Sequence, residues 1–197
     1  MARFPSARHL PVLLIAFGVL LLPAQGARAQ SNAPAEEFTA FAVHMGTIRS
    51  GETGQLVIQI NRWNSEAEQE ALMSALREKG QQGMISAFRK SRPVGTIRSL
   101  HSVGYDLQLA YQEPGQDGGR RIIIATDRPV GFGEATNRPQ SIDYPFSVIE
   151  LFIPREGPGE GTLSLAARLV PAGKKTIAEN YDTQPVQLKN VRAELRK

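Results

Sequence analysis

The feature that most constrains the fold is an alternation of apolar and polar residues with a period of two, which recurs from Phe38 onward. It is clear where Leu56, Ile58 and Ile60 alternate with their neighbours. Because successive side chains of a β-strand point to opposite faces, this alternation predicts half-buried strands. The predicted strands, two of them continuous apolar runs, lie at residues 38–48, 56–61, after Pro93, and at 105–112, 121–126, 147–153, 162–169 and 185–192.

Short segments rich in glycine, proline and polar residues separate these strands. They lie at residues 50–54, 113–119, 156–161 and 171–174. Short connections join antiparallel neighbours, so we expect a mainly β (α+β) fold of about eight antiparallel strands in a meander, either barrel-like or a sandwich. An eight-stranded barrel is filled by its own side chains or holds one small ligand. An outer-membrane barrel needs aromatic girdles, and an aromatic content of 7% counts against that alternative.

A helical insert is predicted between strands 2 and 3. Ser65 is a good N-cap residue, and Glu68 stands at the capping-box spacing from it. Apolar residues follow at helical spacing from Leu72, and Gly80 can end the helix in the left-handed conformation. A second, shorter helix is expected at residues 82–89.

The N-terminal segment has the pattern of a signal peptide. Arg3 and Arg8 precede an uncharged apolar block at residues 10–22, and Ala27-Arg28-Ala29 fits a signal peptidase site. The apolar block is shorter than the roughly 20 residues of a membrane-spanning helix. We therefore expect residues 1–29 to be cleaved, although an uncleaved anchor is the alternative. Residues 30–37 would then form a flexible lead-in to a single domain at 38–194.

Export and composition restrict the partners of this domain. The chain has no cysteine, so a lipid anchor and disulfide bonds are excluded. The whole chain carries a net charge of +4; without the three arginines of residues 1–29, 20 basic residues face 19 acidic ones. No long basic run remains, which argues against a nucleic-acid partner. We expect a periplasmic or extracellular protein with no membrane span after cleavage, and the oligomeric state stays open.

Familiar catalytic and metal-binding patterns are missing from the sequence. After the leader only His44 and His101 remain, whereas a catalytic zinc commonly needs three protein ligands rich in histidine. The glycine-containing segment at residues 131–136 differs from a dinucleotide-binding loop in two ways. The third glycine of that motif is missing, and no convincing helix follows the segment. We therefore predict no cofactor, no metal site and no catalytic residue, and an enzyme is the less favoured class.

Two regions supply candidate ligand-binding residues. The single tryptophan follows Arg62 where strand 2 meets the helix, so it either caps a barrel end beneath the guanidinium or is a plain core residue. The long irregular stretch at 127–141 has the length of a functional loop, and its flanking carboxylates either converge for sugar hydrolysis or form ion pairs with nearby arginines. The complete candidate set is Arg62, Trp63, Tyr111, Asp127, Arg128, Glu134, Asp143 and Tyr144.

Four short motifs resemble those of an uncharacterised family of exported, signal-peptide-bearing bacterial proteins. They are Asn61-Arg62-Trp63, Thr126-Asp127-Arg128-Pro129, Asp143-Tyr144-Pro145-Phe146 and Glu179-Asn180-Tyr181. The resemblance covers nearly all of residues 38–194 and implies a secreted single domain. It implies no activity, cofactor or site residue.

Three functional hypotheses follow. The first is a small-ligand-binding or carrier domain with a lipocalin-like barrel, whose apolar lumen holds a small amphipathic ligand. The second is a structural or interaction protein of the cell envelope, with a packed core and a working surface at the 127–141 loop. The third and most distant is a hydrolase that uses the loop carboxylates.

Overall fold

A computed structural model describes residues 35–43, 53–99, 103–115, 118–130, 140–172, 175–181 and 184–196. The predicted leader, and the parts of the first strand and of the long loop at 44–48 and 131–139, lie outside these ranges. One helix and ten strands are present among the described residues. They are β1 (Glu36–Val43), β2 (Thr53–Ile60), α1 (Glu66–Lys90), β3 (Gly95–Ser99), β4 (Tyr105–Leu107), β5 (Leu109–Pro114), β6 (Arg120–Thr126), β7 (Phe146–Ile153), β8 (Gly159–Ala172), β9 (Lys175–Asn180) and β10 (Val186–Leu195).

The strands form one antiparallel sheet that nearly closes into a barrel. Its order is β4-β3-β2-β1-β10-β8-β7-β6-β5, and β9 pairs with β8 outside this path. The two end strands, β4 and β5, are consecutive parts of one chain segment interrupted only at Gln108. This segment therefore pairs with β3 through its first half and with β6 through its second half. The predicted fold class is confirmed, including the helical insert between strands 2 and 3.

The count of ten strands differs from the expected eight for two reasons. The predicted strand at 105–112 is divided into β4 and β5 at Gln108. In addition, β8 continues past the barrel wall to Ala172 and pairs there with β9, so Pro171 and Ala172 of the predicted turn at 171–174 are strand residues. In the barrel wall itself, neighbouring strands run up and down in turn. The first described strand, β1, pairs with the last, β10.

The segment between β2 and α1 fills the gap where β3 and β5 diverge. The backbone N–H groups of Asn61 and Arg62 both donate to the Val94 carbonyl, at 2.9 and 3.2 Å. Two residues later, Asn64 N–H donates to the Ala110 carbonyl at 3.0 Å. Backbone groups of a buried sheet edge require partners, and residues 61–64 supply them here.

Helix α1 begins where the sequence predicts, and it is interrupted at Gly80, where the sequence predicted the first of two helices to end. Ser65 Oγ accepts from Glu68 N–H, and the Glu68 carboxylate accepts from Ser65 N–H, which completes the capping box. Gly80 has a φ of 60° and interrupts the helical geometry inside α1. The helix consequently consists of two pieces, because a glycine adopts this left-handed φ without steric penalty.

The buried apolar residues form two clusters on opposite sides of the sheet. The barrel cluster lies inside and includes Phe38, Ile58, Trp63 and Ile122. The helix cluster lies outside, where α1 covers β5, β6, β7 and β8. Its members are Leu72, Met73, Leu76, Met84, Phe88, Leu109, Tyr111, Ile123, Ala125, Phe146, Val148, Ala167 and Leu169.

Two predicted strand faces need correction. Tyr105, Leu107, Leu109 and Tyr111 alternate perfectly in sequence, yet the first two belong with the barrel cluster and the last two with the helix cluster. The interruption at Gln108 shifts the alternation of side chains by one residue. Such a shift moves every later side chain of the strand to the opposite face of the sheet. A register shift between β7 and β8 accompanies the same exchange in β8, where Leu163 is inside and Leu169 is under the helix.

Candidate functional site

The barrel interior is occupied by large apolar side chains at the positions that are described. Twenty buried residues form the barrel cluster, and none is more than 5% exposed. Trp63 is one of them, at 2% exposure. The indole thus contributes to the core of the barrel, which corresponds to the plainer of the two interpretations of this residue.

Arg62 faces away from this core, toward the start of α1. Its Nη1 donates to both Glu68 carboxylate oxygens at 2.9 Å, and its Nη2 donates to the Arg92 carbonyl at 2.8 Å. Burial raises the pKa of Glu68, but hydrogen bonds from Ser65 and the Arg62 charge outweigh it, so the pKa lies below its ordinary value. Arg62 therefore joins the helix start to the segment before β3.

The other candidate residues are distributed over three places. Tyr111 is buried in the helix cluster outside the barrel. Asp127 lies 3.7 Å from Arg89 Nε and 3.9 Å from Arg128 Nε, the ion pairing that the sequence offered as the alternative to hydrolysis. Asp143 is exposed and Tyr144 is half-buried. Glu134 lies outside the described residues. Among the described residues no group of three or more His, Asp or Glu side chains is placed to hold a metal ion.

The flanks of the 127–141 loop are held together by Ser147, which is fully buried. Its Oγ donates toward the carbonyls of Arg128 and Leu165, at 3.0 and 3.2 Å, and accepts from Val130 N–H at 3.3 Å. Gln140 Nε2 also contacts Ser147 Oγ and the Arg128 carbonyl, both at 3.2 Å. This hydrogen-bonded group fixes where the loop leaves the barrel and where it returns.

Tyr144 is part of an aromatic group at the surface beside the β8–β9 hairpin. Its ring centroid lies 4.9 Å from that of Tyr181, and the Arg168 guanidinium carbon lies 5.6 Å from its ring. Arg168 also pairs with Glu179 at 2.5 Å. The hydrogen bond and charge of Glu179, with smaller contributions from Tyr144 and Asp143, raise the pKa of Arg168. The motifs containing Tyr144 and Tyr181 therefore meet at one surface.

A cleft of about 860 Å³ lies at the end of the barrel formed by the β5–β6 and β7–β8 hairpins. Phe152 is the large aromatic residue in its wall and is 45% exposed. The remaining lining comprises Glu113, Pro114, Gly115, Arg120, Arg121, Ile153, Pro154, Pro158, Gly159, Glu160, Lys189 and Asn190. We call this feature the rim cleft.

A row of side chains crosses the strands along the outer wall of the rim cleft. The strand registers place Glu113 opposite Arg121, Arg121 opposite Phe152, and Phe152 opposite Glu160. Lys189 on β10 continues the row through an ion pair with Glu160 at 2.9 Å. The aromatic ring consequently stands between two pairs of opposite charges, and cross-strand neighbours of this kind stabilise one another.

Every cation of the rim cleft has an acidic partner. Arg121 pairs with Glu150 and with Glu113. Burial lowers the pKa of Arg121, but these two carboxylates more than compensate and raise it above its usual range. Lys189 forms an ion pair with Glu160. The charges of the wall are therefore balanced within ion pairs.

Arg120 lies at the inner side of the cleft, where the barrel interior begins. Its guanidinium donates to both oxygens of Glu36, at 2.7 and 2.5 Å, and to Gln112 Oε1 at 3.0 Å. Glu36 is 2% exposed, and the Arg120 guanidinium carbon lies 5.9 Å from the centre of the Phe38 ring. A bidentate ion pair thus separates the apolar interior from the rim cleft.

Sequence reasoning did not find the rim cleft. Its residues come from two hairpins and from β10, which are far apart in the sequence and are joined by strand pairing. Phe152 looked like one more apolar residue in a buried strand. The turn signals at 113–119 and 156–161 were visible, but nothing in them indicated that the two turns share one end of the barrel.

No helix among the described ranges is both long enough and apolar enough to cross a membrane. No protein-family model, curated protein or solved structure gives a significant match to the chain.

Proposed function

We propose that this protein binds a small amphipathic ligand in the rim cleft. The observation that carries the proposal is the cleft itself, whose volume of about 860 Å³ falls within the usual range of ligand pockets. Its wall combines an exposed phenylalanine with three prolines and a few charged groups. Ligand sites typically have such an apolar lining with a small number of polar groups that fix orientation.

The lumen is the less favourable place for a ligand. A ligand there would have to displace side chains such as Phe38, Ile58 and Ile122, which are fully buried. Removing one large core side chain typically lowers the free energy of unfolding by about 2–5 kcal/mol. The rim cleft needs no such displacement, so we move the ligand of the lipocalin-like hypothesis from the lumen to the rim.

The paired charges of the cleft favour a neutral or zwitterionic ligand. A free anion would have to compete with Glu113 and Glu150 for Arg121, or with Glu160 for Lys189. Breaking a partly buried ion pair leaves one charge without its partner, which is unfavourable. A ligand that places an uncharged apolar group against Phe152 and hydrogen-bonding groups toward the paired charges would not have to break an ion pair.

We further propose that binding takes place outside the cytoplasm. The support is the signal-peptide pattern of residues 1–29 and the absence of cysteine from the chain. The resemblance to exported bacterial proteins points the same way.

The test is native mass spectrometry of the purified protein after incubation with a lipid and metabolite extract. Phe152→Ser should remove the apolar wall, so we expect a bound species with the wild type and a loss of at least about tenfold in occupancy with the variant. Phe41→Ser is the matched control, because Phe41 is 46% exposed and outside the cleft. Absence of any bound species, or equal retention by Phe152→Ser, would count against the proposal.

A second candidate, an interaction protein of the envelope, is favoured by the surface group of Tyr144, Tyr181 and Arg168. Tyrosine and arginine are enriched among the residues that dominate binding energy at interfaces. If this surface binds a partner, Tyr181→Ser should abolish co-purification of a specific envelope protein that the wild type and Phe41→Ser both retain. Unchanged co-purification would remove the tyrosine group from this hypothesis.

A further inference from the structure

The β8–β9 hairpin extends beyond the barrel wall and has two different faces. Leu169 and Ala178 lie on its inner face and pack with the helix cluster. On the outer face, the register places Arg168 opposite Glu179 and Val170 opposite Ile177. Because residues two apart share a face, Tyr181 continues this outer face.

The two edges of the hairpin differ in their hydrogen-bonding partners. On the β8 edge, Gln81 Nε2 donates to the Leu169 carbonyl at 2.8 Å, and Leu169 N–H donates to Gln81 Oε1 at 3.0 Å. One amide side chain thus takes the place of a neighbouring strand. Within the part of the chain that the structure describes, the far edge of β9 pairs with no strand.

The β9 edge has little of the usual protection against pairing with another strand: it contains no proline, and its charged residues are Lys175, at the start of the strand, and Glu179. Monomeric proteins protect exposed edges with bulges, prolines or charged side chains. The β8–β9 register is regular from Ala172 to Ala167, and the Glu179 charge is already bound to Arg168. Near the middle of the strand stands Ile177, an isoleucine that is 51% exposed.

From these observations we propose that β9 pairs antiparallel with β9 of a second copy of this chain. Such pairing has two-fold symmetry, so the same edge serves both copies and the assembly closes as a dimer. A register centred on Ile177 places one isoleucine opposite the other. In this register Lys175 of each copy stands opposite Glu179 of the other, and Glu179 is bound to Arg168 within its own copy, so the approach of a second copy places no like charges opposite one another. This inference is independent of the rim cleft.

The first experiment measures the mass of the purified protein by light scattering across a wide range of concentration. We expect a concentration-dependent dimer for the wild type. Ile177→Lys introduces a charge at the centre of the edge and should raise the dimer Kd by at least about tenfold. Phe41→Lys changes a similarly exposed residue away from β9 and should leave the dimer intact. A wild type that is monomeric throughout, or a dimer that Ile177→Lys does not weaken, would overturn the proposal.

The second experiment uses the absence of cysteine from the chain. Directly opposed residues in an antiparallel pair have Cβ atoms about 4.5–5.5 Å apart, close to disulfide geometry. Under mild oxidation, Ile177→Cys should therefore form a covalent dimer, whereas Phe41→Cys should remain monomeric on a denaturing gel. Equal cross-linking of the two variants would show random collision and would contradict the β9 pairing. Circular dichroism confirms that each variant is folded.

Discussion

The side chain of Asn64 occupies the place of a missing strand beside Ala110. Ala110 N–H donates to Asn64 Oδ1 at 2.7 Å, and the amide Nδ2 of Asn64 lies 3.5 Å from the Gln108 carbonyl. Asn64 is 1% exposed, so these bonds are shielded from water. The barrel is thereby completed by one buried asparagine at the point where β3 and β5 diverge.

Asn64→Ala should reduce the free energy of unfolding by about 1–3 kcal/mol, because the Ala110 N–H would be buried without an acceptor. Urea denaturation followed by circular dichroism measures this loss. The matched control is Asn61→Ala, since Asn61 is exposed and binds only the exposed Arg196 side chain through its Oδ1 in the described contacts. The control should change stability by no more than about 0.5 kcal/mol. Equal effects of the two substitutions would contradict this role of Asn64.

Gln81→Ala should destabilise the fold by about 1–2 kcal/mol, since it removes the two hydrogen bonds that seal the β8 edge at Leu169. Gln82→Ala replaces an adjacent glutamine that is exposed, and we expect it to be nearly neutral. Thermal unfolding of the two variants measured side by side separates them. If Gln82→Ala proves the more harmful, the sealing role of Gln81 is wrong.

Arg120→Met should reduce stability by about 3 kcal/mol, because it leaves the Glu36 carboxylate buried without its bidentate partner. The double substitution Arg120→Met with Glu36→Gln removes the uncompensated charge and should recover part of the loss. Lys189→Met breaks the exposed pair with Glu160 and should change stability by less than about 1 kcal/mol. A double variant as unstable as the single one would show that charge burial is not the cause.

The contribution of Glu68 to stability should depend on pH. Its pKa in the folded protein is lower than its ordinary value of 4.5, so its stabilisation is fully present above that value and is lost as the pH falls through the lowered pKa. Glu68→Gln keeps a capping-box side chain but has no charge to titrate. The stability difference between wild type and Glu68→Gln should therefore shrink between neutral and acidic pH, as measured by urea titration. A stability difference between wild type and Glu68→Gln that stays constant or grows as the pH falls would contradict the assignment.

Much of the fold follows from local sequence patterns. The capping box of Ser65 and Glu68, the interruption of the helix at Gly80 and the alternation of Leu56, Ile58 and Ile60 all have the predicted structure. Each of these signals depends on residues within a few positions of one another. Local backbone geometry and local hydrogen bonds are enough to predict these features without knowledge of distant parts of the chain.

Features that depend on distant pairing were not predictable from the sequence. The division of 105–114 at Gln108 arises because one half pairs with β3 and the other with β6, and an unbroken alternation cannot reveal a change of partner. The helix covers one side of the barrel, so Leu109 and Tyr111 are buried outside it although they alternate in step with Tyr105 and Leu107. β9 contains few apolar residues and gave little strand signal.

The candidate site was also only partly predictable from the sequence. Arg62 and Trp63 were recognised as unusual from their position, and the structure places them in ordinary ionic and core contacts. Tyr144 was recognised, but its neighbour Tyr181 comes from the far side of the hairpin. The rim cleft depends on strand order, which neither the composition nor the spacing of the turns determines.

The pairing of β1 with β10 has a consequence for how the chain folds. The other pairs of the barrel wall join strands that follow one another in the chain, or, for β8 and β10, strands separated only by β9, whereas this pair brings Glu36 beside Leu195. Closing a loop of that length is about 3 kcal/mol less favourable in entropy than closing a six-residue hairpin loop. We therefore expect the hairpins to form first and the barrel to close late. Until β10 has joined the sheet, the edges of β1 and β8 that it will cover are also open, and misassembly between chains would begin there.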